Sequence, residues 1–464
     1  MAKEDTPNRQ QMACDFINEQ YVAFRRLRFD TIAQKIQICE DTDASHSWRY
    51  ITNADINTMV CDCCYEKGPV TAREILTVLN AGTTYIPHVH PLREYVLSCR
   101  PWQGKVDWID FIAQQVCVCN SAIERHEVPV VDRAADLHRQ PTASNASELQ
   151  CSASETNYSK ALHSSQSERS KTDRLWRLCF KKWFVAMVAS WMRDEVVNHQ
   201  VLVLIGKQGI YKTTWLEHLI PPHLRAYCCK LANANQLTKD DRLRIAEFGL
   251  INLDELDAMT PRELNQMKSI ITSTDVNERA AYAYTKERRV RLASFCASSN
   301  RREFLTDITG NRRWLPFEVE SIQDPFYTPL PYEQLYAQAW ALVQDKTFNY
   351  WFDLDDIEVL EEHNQHFRDE SNEEQLLPIL FDVPAEGKGE FMTTAQISER
   401  LVSYGNIKQP MALGRLGVLL GQKGYRSVTR GSKRSRLRGW IVYQRDIQEI
   451  LANKKLLAKE SVTV

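Results

Sequence analysis

Three short apolar runs stand out along the chain: VLVLI at 201–205, FGLINL at 248–253, and VRLASFCASS, which ends at Ser299. Each has few polar interruptions and stops at a glycine or a polar residue, so each predicts a buried strand. A different spacing governs LWRLCFKKWFVAMVASWM. There Trp176, Phe180, Trp183, Phe184, Met187 and Trp191 recur at helical intervals, predicting an apolar helix packed on its own domain or on a neighbouring subunit. With Lys181 and Lys182 inside it, a membrane role is not expected. Residues up to about Ile123 mix helical and short strand signals, punctuated by Pro87, Pro91 and Pro101. From 124 to 172 the periodicity vanishes into Ser, Ala, Thr, Asn and Gln, the composition of a flexible linker.

Towards the C-terminus, FMTTAQISERLVSYG and MALGRLGVLLGQKGY predict two helices, the second closed by Gly424. RSVTR and WIVYQR then predict two strands flanking the turn GSKRSRLRG. Two helices and a basic hairpin make a winged helix, with the second helix suited to a DNA groove and the wing to phosphates. Protein contact is the other use of such a domain. These patterns divide the chain into an N-terminal domain (1–123), a linker (124–172), a central domain (173–350), an acidic connector (351–388) and a small basic domain (389–464). A chain of 464 residues exceeds a single hydrophobic core, which agrees with several domains.

Candidate chemistry starts where the first apolar run ends. VLVLIGKQGIYKTTW predicts a strand feeding a tight loop and a helix, which aims backbone N–H groups and the positive helix end at one point where a triphosphate can sit. Gly206, Lys207, Gln208, Gly209, Ile210, Tyr211, Lys212, Thr213 and Thr214 form this candidate ATP loop, with Lys212 on the β and γ phosphates and Thr213 on Mg²⁺. Tyr211 stands where the motif has glycine, so its side chain must point away from the phosphates, which bears on the rate of hydrolysis more than on binding. The second run ends in Asp254 and Glu255, read as a Mg²⁺ holder and a water-polarising base. The third ends at Asn300, read as orienting water or the γ-phosphate. TGNRRW supplies Arg312 and Arg313, one of which is expected to stabilise transition-state charge on a neighbouring subunit's nucleotide.

IGKQGIYKTT, INLDELDAM, ASSNRREFLTD and TGNRRW together resemble the virulence-associated protein E group of P-loop ATPases, related to superfamily III helicases of phages, plasmids and integrative elements. IPHVHPLREYV and PWQGKVDWIDFIAQQV resemble the segment preceding the ATPase in such proteins. The resemblance implies an α/β fold: a P-loop AAA+-like αβα core, here with an α-rich N-terminal domain and a small C-terminal winged helix. It also implies a homo-oligomeric ring, expected to be hexameric, with active sites between subunits. A separate primase, or another replication or mobilisation protein, is a candidate partner.

Helicases of this class place a DNA-contacting hairpin before the sensor strand, and here that interval holds Lys268, Arg279, Lys286, Arg288 and Arg289 as candidate phosphate contacts. Tyr282 and Tyr284 are candidates for stacking on single-stranded bases. A salt-bridged surface loop is the alternative. In the basic domain the candidates are Arg415, Lys423, Arg426, Arg430, Lys433, Arg434, Arg436 and Arg438. Two functions stay open at this point: a ring-shaped ATP-dependent DNA motor, and an ATP-gated DNA-binding switch with slow turnover.

Composition refines this picture in three places. The formal net charge is only −2, yet between Lys388 and Lys459 fifteen Lys and Arg face four Asp and Glu. The acidic counterpart, DLDDIEVLEEHNQHFRDESNEEQ, predicts an exposed helix or hinge. Thirteen cysteines in scattered positions suit reduced thiols, and neither Cys61, Cys63 and Cys64 nor His88 and His90 have zinc spacing. Asp107 and Asp110 are too few for a nucleotidyl-transfer metal cluster and are expected on an exposed helix face. With no signal-like apolar segment at the start and no membrane-length run, a cytoplasmic location is expected.

Overall fold

The computed structural model describes residues 8–39, 48–81, 86–119, 155–231, 239–278, 286–305, 311–384, 389–431, 436–446 and 448–450. The N-terminal part runs through α1 (Arg9–Ile17), β1 (Leu27–Asp30), β2 (Lys35–Cys39), β3 (Trp48–Tyr50), α2 (Asn53–Glu66), α3 (Ala72–Ala81), β4 (His88–Val89), α4 (Pro91–Ser98), α5 (Trp108–Ala113) and β5 (Val116–Val118). The first four strands form a sheet in the order β3-β2-β1-β4. Phe16, Met59, Ile75 and Ile38 pack between this sheet and α1 to α3. Asp107 and Asp110 prove structural. Asp107 caps α5 by accepting the Asp110 N–H (3.0 Å) and binds Lys181 (2.6 Å), and Asp110 meets Arg177 (3.2 Å).

Asp30 is fully buried, and its carboxylate is satisfied from four directions. Oδ2 accepts from Tyr227 (2.6 Å) and Tyr50 (2.9 Å), and Oδ1 from the N–H groups of Ile32 (2.8 Å) and Ala33 (3.1 Å). Burial, together with this carboxylate, pushes the Tyr50 phenol up to about 12. Tyr227→Phe leaves a buried charge short of one donor, so a loss of about 1–3 kcal/mol in urea unfolding is expected. An unchanged midpoint would mean that water replaces the phenol.

His90 caps α4 by accepting the Arg93 N–H at Nδ1 (3.2 Å). Burial, and next the Arg93 guanidinium, hold its imidazole down at about 4, below the ordinary 6.5. The unfolded chain therefore binds the extra proton between these values. Stability present at neutral pH should fall as pH drops from 6.5 to 4, by about 2 kcal/mol. His90→Asn keeps a capping acceptor without the titration, so its unfolding midpoint should lose that slope.

The chain continues with α6 (Glu155–Met192), β6 (Val201–Ile205), α7 (Lys212–His218), β7 (Cys228–Leu231), α8 (Lys239–Glu247), β8 (Leu250–Leu253), α9 (Pro261–Thr272), β9 (Asp275–Glu278), β10 (Glu287–Val290), β11 (Ser294–Ser299), β12 (Trp314–Ile322) and α10 (Tyr332–Gln344). A six-stranded sheet has the order β5-β12-β6-β11-β8-β7. Its other strands run parallel, and β5 closes the edge antiparallel to β12. All residues of β6, β8 and β11 are buried, as expected for a parallel sheet covered on both faces.

The apolar half of α6 lies on this same sheet. Trp176, Phe180, Trp183, Phe184, Met187 and Trp191 are fully buried, and each indole N–H finds a carbonyl: Trp176 on Ala113 (2.9 Å), Trp183 on Phe295 (3.0 Å) and Trp191 on Gly249 (3.0 Å). The linker expected to reach Thr172 is corrected here, because α6 begins at Glu155. Once the aromatic half is anchored, extending the helix costs little per residue, and the Ala, Leu, Lys, Glu, Gln and Arg of 155–172 are good helix formers. Residues 120–154 lie outside the described residues.

The chain divides into two compact units. The first comprises Met1–Val118, Leu175–Asn300 and Arg313–Ile357; the second comprises Cys119–Arg174, Arg301–Arg312 and Glu358–Val464. The N-terminal segment thus shares a unit with the central sheet, to which β5 contributes its edge.

The C-terminal elements are α11 (Leu354–Asn364), α12 (Asn372–Leu380), β13 (Phe381–Asp382), β14 (Glu390–Thr393), α13 (Thr394–Gly405), α14 (Leu413–Gln422), β15 (Arg426–Arg430) and β16 (Leu437–Gln444). β16 pairs with β15 on one side and with β13 and β14 on the other. Leu377, Leu380, Leu401, Leu416, Leu419 and Trp440 share one core.

The acidic segment is not wholly exposed as expected, because α12 belongs to this core. Glu373 and Glu374 are each 4% exposed. Glu374 is gripped by Arg368 (2.9 Å) and Lys423 (3.5 Å), and Glu373 accepts the Met411 N–H (2.6 Å). Their leucine neighbours draw the helix in, and the paired cations and the amide offset the burial of charge. Among the described residues, no helix is long and apolar enough to cross a membrane.

Candidate active site

Three strand ends of the central sheet meet at one edge. β6 stops at Ile205, and the chain turns at Gly206, where a Cβ would stand 2.6 Å from the Val319 carbonyl of the adjacent β12. Gly209 continues the loop at φ +88°. Tyr211 closes it at φ 66°, ψ 15°, the left-handed region that the motif's glycine would occupy freely. Holding a tyrosine there costs about 1–2 kcal/mol. Its side chain is 39% exposed, and its phenol lies beside Asp324, whose carboxylate raises the phenol's pKa.

Lys212 opens α7 and is only 6% exposed. Its ammonium donates to the carbonyls of Gly206 (2.6 Å) and Lys207 (2.7 Å) and to Asn300 Oδ1 (3.1 Å). Burial lowers its pKa, and Asp257 and then Asp254 act the other way. Next along the helix, Thr213 Oγ1 lies 2.9 Å from Asp254 Oδ1 and 3.2 Å from Ser298 Oγ, and Ser298 donates to the same carboxylate oxygen (2.6 Å). The sheet register explains the meeting: β8 and β11 pair Leu253 with Ala297, so the following residues, Asp254 and Ser298, come level.

Gly206, Lys207, Tyr211, Lys212, Thr213, Asp254 and Asn300 are therefore gathered as the sequence suggests. Gln208 and Gly209 are exposed on the loop, Ile210 packs beside Gly206, and Thr214 gives its carbonyl to His218 Nδ1 (2.7 Å). Glu255 sits exposed at φ 55° just past β8. Two participants escape a reading of the sequence. Ser298 looks like one more small residue in a buried run. Asp257 accepts the Asn300 N–H (3.4 Å) and faces Lys212, and only the short helical turn after Glu255 brings it back.

Arg313 is half-buried at the start of β12, where Trp314 pairs with Val201. That is the opposite end of these two adjacent strands, about 16 Å from Gly206 at strand rise. Arg313 therefore cannot serve its own loop. Arg312 is exposed and belongs to the second unit.

The expected hairpin exists as β9 paired with β10. Arg279, Tyr282 and Tyr284 lie outside the described residues. Lys286 is exposed and Lys268 is half-buried on α9. Arg288, exposed, pairs with Asp275 on the facing strand (2.6 Å), and Arg289, largely buried, binds Glu247 of α8 (2.8 Å).

In the second unit, Arg415, Lys423, Arg426, Arg430, Arg436 and Arg438 are all exposed, whereas Lys433 and Arg434 lie outside the described residues. Arg430 stacks over Phe391 (4.8 Å), and Arg438 donates to Ser427 (3.1 Å). The exposed side of α14 carries Leu413, Gly414, Arg415, Val418, Gly421 and Gln422. With one cation among them, it offers little to a phosphate backbone, and the basic groups concentrate on β15 and β16.

Residues 153–369 match the virulence-associated protein E-like domain. No curated protein matches the chain. Similar solved structures include the apo structure of the NrS-1 C-terminal region (residues 305–718), at 11% identity and a TM-score of 0.41, covering 90% of this chain and 96% of that one. The A form of the same region gives 9% identity and 0.42, covering 94% and 100%.

Proposed function

Taking residues 153–369 as a virulence-associated protein E-like domain, we propose that the chain is a P-loop ATPase that works on DNA in the replication of a phage or mobile element. The observation carrying this reading is the convergence on Lys212: a buried ammonium held by two loop carbonyls and Asn300, next to the Ser298–Asp254 hydroxyl–carboxylate pair at the ends of β11 and β8. Phosphate oxygens are better acceptors for that ammonium than the carbonyls it now uses. Thr213 and Asp254 offer hard oxygens, the donor set Mg²⁺ prefers, and no group of three His, Cys, Asp or Glu is gathered among the described residues. Both residues would hold the ion alongside the phosphates, where it would neutralise developing charge. Glu255 and Asp257 compete for the role of orienting water, and Asn300 holds the γ-phosphate side.

A trans arginine fits the place of Arg313 at the far end of β12, so assembly into a ring completes the site. Mass measurement with and without nucleotide and forked DNA tests this, and a monomer under all conditions would refute it.

The second unit's two helices and β15–β16 hairpin support a winged-helix reading, with DNA affinity on the hairpin more than on α14. Replacing Arg430, Arg436 and Arg438 with alanine should weaken DNA binding and flatten its salt slope by about 0.9 for each phosphate that is no longer neutralised. An unchanged slope would return the domain to protein recognition.

The left-handed Tyr211 favours a second reading, an ATP-gated DNA-binding switch with slow turnover. Strand displacement on forked DNA separates the two. Unwinding with stimulated hydrolysis supports the motor, and ATP-dependent binding without either supports the switch.

A further inference from the structure

Next to the phosphate loop, three aromatic side chains face solvent: Tyr211 at 39%, Phe326 at 68% and Tyr327 at 87% exposure. They are not loose. Beyond β12 the chain forms a strap along α7, with Asp324 beside the Tyr211 phenol at its start. Asp324 also organises the turn, its side chain accepting the Phe326 N–H (2.9 Å) and its carbonyl the N–H groups of Tyr327 and Thr328 (both 3.2 Å). At the far end of α7, the Phe326 ring meets His218 edge-on (5.1 Å between centroids), and Tyr332 donates to the His218 carbonyl (2.7 Å).

Seven helical residues separate these anchors, about 10 Å. Along that length the strap holds aromatic faces open beside the helix whose first residue is Lys212. Water gains nothing from such rings, whereas a heteroaromatic base gains stacking area on each.

From this placement we infer that Tyr211, Phe326 and Tyr327 form the cradle for the base of the nucleotide whose phosphates the Lys212 loop takes, with α7 as its floor. The inference rests on the nucleotide reading above. It gives Tyr211 a second purpose: the residue that replaces the loop glycine serves as the joint between the phosphate loop and the base strap. Recognition by stacking makes the site tolerant of base identity, since every base has a π-face.

Binding of ATP and of tripolyphosphate, each with Mg²⁺, is measured by calorimetry on the full chain. In the Phe326→Ala/Tyr327→Ala variant, ATP affinity is expected to fall tenfold or more, with tripolyphosphate affinity unchanged. Both positions are exposed, and an unchanged thermal midpoint checks the fold. Equal affinity of wild type and variant for ATP overturns the cradle while leaving the phosphate loop standing. Parallel losses for both ligands overturn it too, because the strap would then act only by shaping the loop. If the wild type binds neither ligand, the nucleotide reading itself falls, and the cradle with it.

Discussion

Lys212→Ala is expected to abolish ATP turnover, by about 10²–10³-fold or more, and to remove tripolyphosphate binding along with ATP binding. The magnitude follows from the setting. A 6%-exposed ammonium with three acceptors is a preorganised charge, and a low-dielectric surrounding makes it worth more there than on the surface. Truncation also leaves the Gly206 and Lys207 carbonyls without their donor. Glu255→Gln should behave differently, retaining ATP binding while losing hydrolysis. Asp257→Asn is the informative companion. If it costs more in kcat than Glu255→Gln, the carboxylate that accepts the Asn300 N–H, and not the one at the strand end, orients the attacking water. Steady-state kcat and KM for the three variants settle the assignment, and full activity in Lys212→Ala would remove the proposed site.

The second large effect is on stability. Arg291 is almost fully buried and, among the described residues, its hydrogen-bond partners include no carboxylate. Its guanidinium donates to the carbonyls of Ala293 (3.0 Å), Asn198 (2.8 Å), Ile270 and Ser273 (both 3.4 Å) and Ile271, and lies over the Phe295 ring. Three of these carbonyls end α9, where a cation also meets the negative end of the helix. Arg291→Ala strands several buried acceptors at once, so a loss of about 4 kcal/mol or more is expected, lowering the unfolding midpoint by about 10 °C. Lysine has three donors on a single point and recovers only part of this. Arg291 clamps the segments leading into β6 and β11, whose far ends carry Gly206 and Asn300, so its loss should blur the site before the chain unfolds. A midpoint within about 2 °C of wild type would show that water satisfies the carbonyls.

Much of the loop around Lys212 could be read directly from the chain. A buried run followed by two glycines and Lys-Thr-Thr is local information, and Gly206, Lys212 and Thr213 meet Asp254 and Asn300. The aromatic helix was equally legible, because Trp176 to Trp191 repeat at helical spacing. Glu373 and Glu374 were misread as solvated because charge composition cannot show that neighbouring leucines draw a helix into a core. Between phosphate contacts and surface salt bridges the sequence leaves Arg288 and Arg289 open, and only the fold supplies their partners, Asp275 and Glu247.

By itself, then, the sequence determined the strands, the apolar helix and the residue types of the loop, since these depend on spacing within a few residues. Tertiary structure decided which distant positions come level. Ser298 joins Asp254 through strand register, Asp257 returns to Lys212 through one turn, Arg313 is sent to the far end of β12, and the strap of Phe326 and Tyr327 lies along α7. The physical reason is that pairing between strands far apart in the chain fixes these neighbours, and no local pattern of residues encodes that register.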